Sequence, residues 1–167
     1  MRCFVGIPVI GELVSHCLAL NRGLHGAVPA ANLHLTLAFL GSIDRSRRQV
    51  ISDWLGRATQ RHAPFTVTLQ RCEPFPGARG PFLALSCESI PPQLLALQQD
   101  LLPGLAEADT HRPYRPHITL AKPGYGLPAK TGHWTLTVDR VCLYHSQVQP
   151  PGVPVYQPLA IYPLRPL

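Results

Sequence analysis

Apolar positions along the chain follow two periods, one typical of strands and the other typical of helices. Alternation with a period of two, together with short apolar runs, predicts eight strands, at 3–8, 33–40, 65–72, 82–87, 116–121, 134–138, 141–144 and 155–161. Apolar residues spaced three and four apart predict three helices, at 9–22, at 44–62 with Asp44 as its N-cap, and at 91–104. This mixture of elements predicts an α+β fold made of two similar lobes.

Two of the predicted strands carry the same pattern of residues. His34-Leu35-Thr36-Leu37-Ala38 and His117-Ile118-Thr119-Leu120-Ala121 lie 83 positions apart, and each predicted lobe contains one copy. Side chains alternate between the two faces of a strand, so each copy places His and Thr on one face and the aliphatic residues on the other. We therefore expect the two strands to face each other across a cleft and to bring two imidazoles and two hydroxyls together.

The same parity argument extends beyond the pentapeptides and separates them from a third His-x-Thr triplet. In the first strand it places Phe39 with the leucines, opposite His34, and after the second strand it places Lys122 opposite His117. The third triplet, His133-Trp134-Thr135, lacks the Leu-Ala extension, and a short motif alone is weak evidence of a site. We predict that His133 is an ordinary surface residue.

Composition and charge narrow the class of protein. The 167 residues are 46% hydrophobic, which is typical of a globular domain and argues against disorder; we expect one bilobal domain over 1–167. The net charge of +6 suits a polyanionic ligand, and arginine clusters at 45–48 and 112–115 could flank the predicted cleft. Five dispersed cysteines indicate thiols in a reducing cytoplasm, and no apolar run predicts a signal peptide or a membrane span.

The segments around both pentapeptides resemble the signatures of a known superfamily. Residues 32–41 (NLHLTLAFLG) and 115–121 (RPHITLA) closely resemble those of the 2H phosphoesterases, and within that superfamily the bacterial RNA 2′,3′-cyclic phosphodiesterases, or 2′–5′ RNA ligases (LigT-like). The resemblance also covers the opening strand and a late LYHS segment at 143–146. It implies two pseudo-symmetric lobes of mainly antiparallel sheet, with helices packed outside and the active-site cleft between the lobes.

The resemblance implies an activity and roles for the four motif residues. The activity is metal-independent hydrolysis of RNA 2′,3′-cyclic phosphate ends to 2′-phosphomonoesters, with reversible 2′–5′ ligation as a further activity. It suggests His34 as the proton donor and His117 as the proton acceptor; the residues alone leave these two roles interchangeable. Thr36 and Thr119 would donate hydrogen bonds to the phosphate. We expect no metal or other cofactor, because the sequence has no carboxylate cluster and no closely spaced set of histidines.

Further residues are candidates for substrate contacts. Phe39 and Tyr114 could stack on the terminal base, although core packing of Phe39 and burial of Tyr114 in a loop are the more common outcomes for such residues. Arg115 and Lys122 are the basic candidates; the family often has Arg where this chain has Lys122, and Lys lacks the bidentate fork of Arg.

The expected substrate is RNA with a 2′,3′-cyclic phosphate end, tRNA fragments included, or a nucleotide-derived cyclic phosphate. We expect a cytoplasmic monomer without a membrane partner. Two other functions remain open from the sequence: a phosphodiesterase of small cyclic nucleotides that uses the same site, and a module that binds RNA ends without turnover.

Overall fold

An antiparallel β-sheet organises the part of the chain that the computed structural model describes, residues 1–149 and 153–167. These residues form eight strands: β1 (Arg2–Pro8), β2 (His34–Ser42), β3 (Phe65–Phe75), β4 (Phe82–Ser86), β5 (His117–Ala121), β6 (Lys130–Val138), β7 (Arg140–Gln149) and β8 (Val153–Pro163). Three α-helices accompany them: α1 (Glu12–Leu20), α2 (Arg45–Ala58) and α3 (Pro92–Leu101). None of the helices in these described ranges is long and apolar enough to cross a membrane.

The strand order divides the sheet into two groups of four. It runs β6-β3-β4-β5-β2-β1-β7-β8, so the two motif strands, β5 and β2, are neighbours at the centre of one sheet rather than strands that face each other across a cleft, as the sequence analysis expects. We call β2, β1, β7 and β8 the His34 half, and β5, β4, β3 and β6 the His117 half. The predicted α+β fold with two antiparallel lobes is confirmed, and the lobes take the form of two halves joined side by side.

The join between the halves is narrow. Leu35 of β2 and Ile118 of β5 are the registered pair across it, whereas β4 and β5 within the His117 half share four registered pairs. Side chains reinforce the join: Asn21, at the C-terminal end of α1, donates from Nδ2 to the carbonyl of Leu120 at 2.9 Å. The two halves are therefore held together by contacts that lie next to the motif residues.

The helices cover one face of the sheet and leave the motif histidines on the other. Leu35, Leu37, Ile118 and Leu120 point into the hydrophobic core formed with the helices. His34, Thr36, His117 and Thr119 alternate with them and are only partly buried. We call the face that carries these four residues the histidine face. It matches the parity that the sequence predicts for the first three motif positions.

A β-bulge falls at the same position in both motifs and reverses this parity. Along β1, Val5 pairs with Ala38 and Gly6 with Thr36, which leaves Leu37 as the extra residue. Along β4, Leu83 pairs with Ala121 and Ala84 with Thr119, which leaves Leu120 extra. A bulge sets two residues against one, so the residue after it points to the opposite face from the one that strict alternation predicts. Ala38 and Ala121 are accordingly buried in the core.

The start of α2 agrees with the sequence, whereas its end, at Ala58 rather than residue 62, and both ends of α1 differ. Asp44 caps α2, since its side chain accepts a hydrogen bond from the backbone N–H of Arg47 at 2.8 Å, as predicted. The first helix begins at Glu12 rather than at residue 9, because Gly11 precedes it with a positive φ of 67°. It also ends at Leu20, with Asn21 as its C-cap.

Candidate active site

His34 is held by two hydrogen bonds that fix its ring. Its Nδ1 lies 2.7 Å from the backbone oxygen of Asn32. A carbonyl can only accept, so Nδ1 carries the proton and Nε2 is the basic nitrogen of the neutral ring. Nε2 lies 2.9 Å from Oγ1 of Thr36, whose hydroxyl donates to it. The basic nitrogen of His34 is therefore directed along the histidine face.

His117 is oriented in the same way. Its Nδ1 lies 2.9 Å from the backbone oxygen of Arg115, again the residue two positions earlier, so Nδ1 donates and Nε2 is left as the basic nitrogen. Within the described residues this Nε2 has no hydrogen-bond partner, and His117 makes no bond to Thr119 equivalent to that between His34 and Thr36. The two motifs thus share one ring orientation and differ in what occupies Nε2.

The register across the join brings the four motif residues together. The antiparallel pair Leu35–Ile118 places His34 beside Thr119 and Thr36 beside His117 on the histidine face. Directly opposite residues in such a pair have Cβ atoms about 4.5–5.5 Å apart, and diagonal ones about 7–8 Å apart. The two imidazoles lie on one diagonal and the two hydroxyls on the other, an arrangement that fits a tetrahedral phosphate between them.

Aromatic rings enclose His34. The ring of Phe4 lies 4.7 Å from that of His34, Tyr156 meets it edge-on at 5.2 Å, and Tyr144 lies at 5.8 Å, all measured between centroids. Gly6 of β1 completes this pocket, because a Cβ there would lie 3.5 Å from His34 Cδ2 and 3.2 Å from the Leu35 carbonyl. A side chain at Gly6 would therefore crowd the Leu35 carbonyl and lie in van der Waals contact with the imidazole.

His117 has a more open and more polar environment. The ring of Phe75 stacks on it at 4.1 Å, and the guanidinium of Arg115 covers Phe75 at 4.6 Å. A groove of about 380 Å³ opens next to these residues, between them and the loop that follows β4. The aromatic enclosure is thus a property of the His34 half, and the adjoining groove is a property of the His117 half.

Burial lowers the pKa of both imidazoles. Desolvation brings the pKa of His34 to about 4, opposed by its hydrogen bond to the Asn32 carbonyl and assisted by the neighbouring charge of His117. The pKa of His117 is also lowered, mainly by burial, with the hydrogen bond to the Arg115 carbonyl opposing the shift. In the free protein both rings are therefore neutral at pH 7. A phosphate anion between them would favour the charged forms and raise both pKa values.

The bulges correct two predictions that rest on strict alternation. Phe39 is not packed with the leucines: it is 58% exposed, and its ring lies 6.2 Å from that of Phe4 on the histidine face. Lys122 likewise follows a bulge onto the face of His117, where its Nζ lies 5.7 Å from the ring centre of Phe82. Phe39 and Lys122 occupy the same position in the two motifs, five residues after each histidine.

Tyr114 and Arg115 are placed beside the site by the segment that leads into β5. The hydroxyl of Tyr114 donates to the backbone oxygen of Thr36 at 3.0 Å and so bridges the two halves of the sheet. Its side chain is largely buried, as the loop-burial interpretation predicts. Arg115 donates from Nη1 to the carbonyl of Pro76 at 3.0 Å, which holds its guanidinium over Phe75.

Asn32 is a residue of the site that the sequence analysis did not single out. It is buried, its Nδ2 donates to the carbonyl of Pro154 at 2.9 Å, and its Oδ1 accepts from the backbone N–H of Tyr156 at 3.3 Å. Its own carbonyl holds His34, so it connects β8 to that imidazole. The signal available in the sequence was its place at the start of the segment 32–41 that carries the first motif. Phe4 and Tyr144 were equally unassigned, because their role depends on strand pairing.

Other candidate sites of the sequence lie away from this face or are not formed. His133 is exposed on β6, the outermost strand of the His117 half, as predicted. The cysteines of the chain are free thiols. In residues 1–149 and 153–167, no three His, Cys, Asp or Glu side chains lie close enough together to hold a metal ion. The arginine cluster at the start of α2 is partly committed to structure, since Arg47 pairs with Glu107.

Known proteins are similar to this chain in sequence and in fold. The chain is 32% identical over 126 residues to the RNA 2′,3′-cyclic phosphodiesterase of Escherichia coli K12, covering 71% of this chain and 69% of that protein. It is 31% identical to the protein of the same name from Thermus thermophilus, covering 83% of this chain and 75% of that one.

Solved structures show the same relationship in three dimensions. The apo form of E. coli LigT superimposes with a TM-score of 0.82 and 30% identity, over 98% of this chain and 97% of that one. The same protein has been solved with 3′-AMP and with phosphate. The family model of the 2′–5′ RNA ligase superfamily matches residues 10–150, which include both motifs and most of the sheet. The chain therefore belongs to the 2′–5′ RNA ligase superfamily.

Proposed function

We propose that this protein is an RNA 2′,3′-cyclic phosphodiesterase, which opens cyclic phosphate ends to 2′-phosphomonoesters by acid–base catalysis without a metal. The observation that carries the proposal is the convergence of two His-x-Thr pairs on one face of the sheet, each histidine with Nδ1 bonded to a carbonyl. The names of the E. coli and T. thermophilus relatives, and the complexes of LigT with 3′-AMP and phosphate, support this substrate class.

The reaction needs one proton acceptor and one proton donor on opposite sides of the phosphorus. Nε2 of His117 takes a proton from water as its oxygen attacks, and the bond to O3′ breaks. Nε2–H of His34 gives a proton to O3′, which leaves the phosphate on O2′. Each such transfer is worth about 10²–10⁴-fold in rate. Thr36 and Thr119 donate hydrogen bonds to the non-bridging oxygens, where charge increases in the transition state.

The difference between the two halves supports this assignment of roles. The aromatic rings around His34 suit the nucleoside whose ribose carries the leaving oxygen, with Phe39 available to stack on its base. The open side of His117 leaves room for the nucleophile. In the neutral ring, Nε2 of His34 accepts the hydroxyl of Thr36 at 2.9 Å. Once Nε2 is protonated it can no longer accept this hydrogen bond, so the hydroxyl of Thr36 is released to donate to the phosphate.

The lowered pKa values couple substrate binding to proton uptake. With both rings neutral in the free protein, His34 becomes a donor only when an anion raises its pKa. A cyclic phosphodiester carries that charge. The charge of the substrate thus favours protonation of His34. Because the intrinsic pKa of His34 is low, its protonated ring is a strong proton donor.

The remaining contacts concern the RNA chain. The net charge of +6 favours a polyanion, and Lys122 and Arg115 on the His117 side are the candidates for backbone phosphates. We propose RNA fragments, those of tRNA included, as substrates of one catalytic domain that works as a monomer in the cytoplasm. Ligation of a cyclic phosphate end to a 5′-hydroxyl end is the same chemistry with a ribose hydroxyl in place of water.

The test is an assay of a short RNA ending in a 2′,3′-cyclic phosphate, in excess EDTA, with the product terminus identified. A 2′-phosphate that forms in EDTA and disappears in both His34→Ala and His117→Ala is the expected result. An unchanged terminus would contradict the proposal and direct attention to small cyclic nucleotides. Binding of the RNA end that survives both substitutions, without turnover, would indicate a binding module.

A further inference from the structure

A groove adjoins His117 on the side away from His34. It measures about 380 Å³, and its walls include Arg71, Phe75, Ser86 and Arg115. Phe75 is the ring that stacks on His117, and Ser86 is the registered neighbour of His117 on β4. The groove therefore begins at residues that contact or pair with His117, which we assign as the proton acceptor, and extends outward from them over the His117 half.

The groove is far larger than hydrolysis requires. A water molecule occupies about 30 Å³ of liquid volume, whereas pockets for small organic ligands begin at about 300 Å³. The nucleophile of the proposed reaction arrives on the same side, since His117 accepts its proton. A space of this size next to the nucleophile position fits a nucleoside that presents a hydroxyl group.

The charges in the groove favour a neutral, hydroxyl-bearing occupant at its inner end. Arg71 lies 3.9 Å from Glu73 and 4.0 Å from Glu88. With Arg115, two basic and two acidic side chains line the groove, so their charges compensate one another. Phe75 offers an apolar ring and Ser86 a buried hydroxyl at the wall nearest His117. An RNA strand that ends in a 5′-hydroxyl has this chemistry, because its first phosphate lies on the far side of the terminal ribose.

We propose that this groove binds the terminal nucleoside of a second RNA strand with a 5′-hydroxyl end, and that it is the acceptor subsite for 2′–5′ ligation; this rests on the proposed cyclic phosphodiesterase function. The O5′–P bond forms as the P–O3′ bond breaks. The proton of the 5′-hydroxyl goes to His117 Nε2, and the proton of His34 Nε2 goes to O3′. The products are one 2′–5′ phosphodiester and a free 3′-hydroxyl, with no co-reactant.

The experiment fills the groove with a side chain. Ser89 is exposed in the loop after β4 and lines the groove, so Ser89→Trp should occupy it. The readout is the ratio of ligated to hydrolysed product at early times, from a cyclic-phosphate donor RNA and a 5′-hydroxyl acceptor RNA. We expect this ratio to fall at least about tenfold, equivalent to about 1.4 kcal/mol of lost acceptor binding in the transition state.

Two controls define the outcome. Ser15→Trp, exposed on α1, should leave the ratio unchanged, and an acceptor with a 5′-phosphate should give no ligated product. An unaltered ratio in Ser89→Trp, or wild-type protein that hydrolyses the donor but never ligates it, would overturn the acceptor subsite while leaving the cyclic phosphodiesterase intact. Wild-type protein that leaves the cyclic phosphate closed would instead overturn the proposed function itself.

Discussion

The two motif strands have nearly the same sequence, the same bulge and the same ring orientation, yet their histidines lie in different environments. His34 is enclosed by three aromatic rings and bonded through Nε2 to Thr36. His117 has one stacked ring and an adjoining groove. The repeated pentapeptide thus fixes where the nitrogens point, and the neighbouring strands decide how readily each ring is charged and what can approach it.

The largest expected effect comes from removing either imidazole and then changing the leaving group. His34→Ala and His117→Ala should each lower kcat for a cyclic-phosphate RNA by about 10²–10⁴-fold. A substrate with sulfur in place of O3′ needs no proton donor, so it should restore much of the rate to His34→Ala and little to His117→Ala. Quench-flow or gel assays of both substrates measure this. Equal rescue of the two variants would contradict the assigned roles.

The pH dependence of kcat/KM is a second test of the two imidazoles. Since burial lowers both pKa values below 6.5, kcat/KM should decline above that pH by about tenfold for each pH unit, as the singly protonated form of the free protein is lost. Imidazole NMR should give His34 a pKa near 4. A plateau of kcat/KM between pH 7 and pH 9 would contradict the lowered pKa values.

The same lowered pKa affects stability with a definite sign. The unfolded chain binds a proton at His34 near pH 6.5, and the folded protein does so only near pH 4. The neutral ring therefore stabilises the fold above pH 6.5, and this contribution is lost progressively as the pH falls towards 4. Urea unfolding of wild type and of His34→Gln across this range should show a steeper acid loss in the wild type.

Substitutions two positions before each histidine test how the backbone carbonyl at that position and its surroundings hold the imidazole ring. Asn32→Ala removes two buried hydrogen bonds to β8, so we expect a loss of about 1–3 kcal/mol in unfolding free energy and a fall in kcat larger than the change in KM. Arg115→Ala keeps the carbonyl that holds His117 and has an exposed side chain, so its unfolding free energy should change less. Urea unfolding and steady-state kinetics of both variants measure the difference; equal losses of stability would contradict it.

The smallest expected effect, at the N-cap of α2, serves as a control for general loss of stability. Asp44→Ala removes the N-cap of α2, which packs on the face of the sheet opposite the motif histidines, and should cost about 1 kcal/mol in unfolding free energy without changing kcat. Denaturant titration and the cyclic-phosphate assay measure both quantities. A fall in kcat here would show that general destabilisation, rather than the site, explains part of the losses in Asn32→Ala.

The sequence predicted the elements and the four motif residues because periodicity and a repeated motif are local signals. It placed all eight strands and three helices, although β7 runs five residues past its predicted end and β6 begins four residues before its predicted start. It misplaced Phe39 and Lys122, since a bulge appears only when a strand is seen against its partner. It missed Asn32 and Phe4 for the same reason: their contacts with Pro154 and Tyr144 join segments more than a hundred residues apart.

The order of strands in the sheet has a consequence for how the chain is made. The His117 half is built from one continuous stretch, β3 to β6, whereas the His34 half needs β1 and β2 from the start of the chain and β7 and β8 from its end. On a ribosome, the strands around His117 can pair while the last segments are still being synthesised. His34 is translated before His117, but the last strands that surround it are synthesised after those that surround His117. The surroundings of the two histidines are therefore completed in the reverse of their order in the sequence.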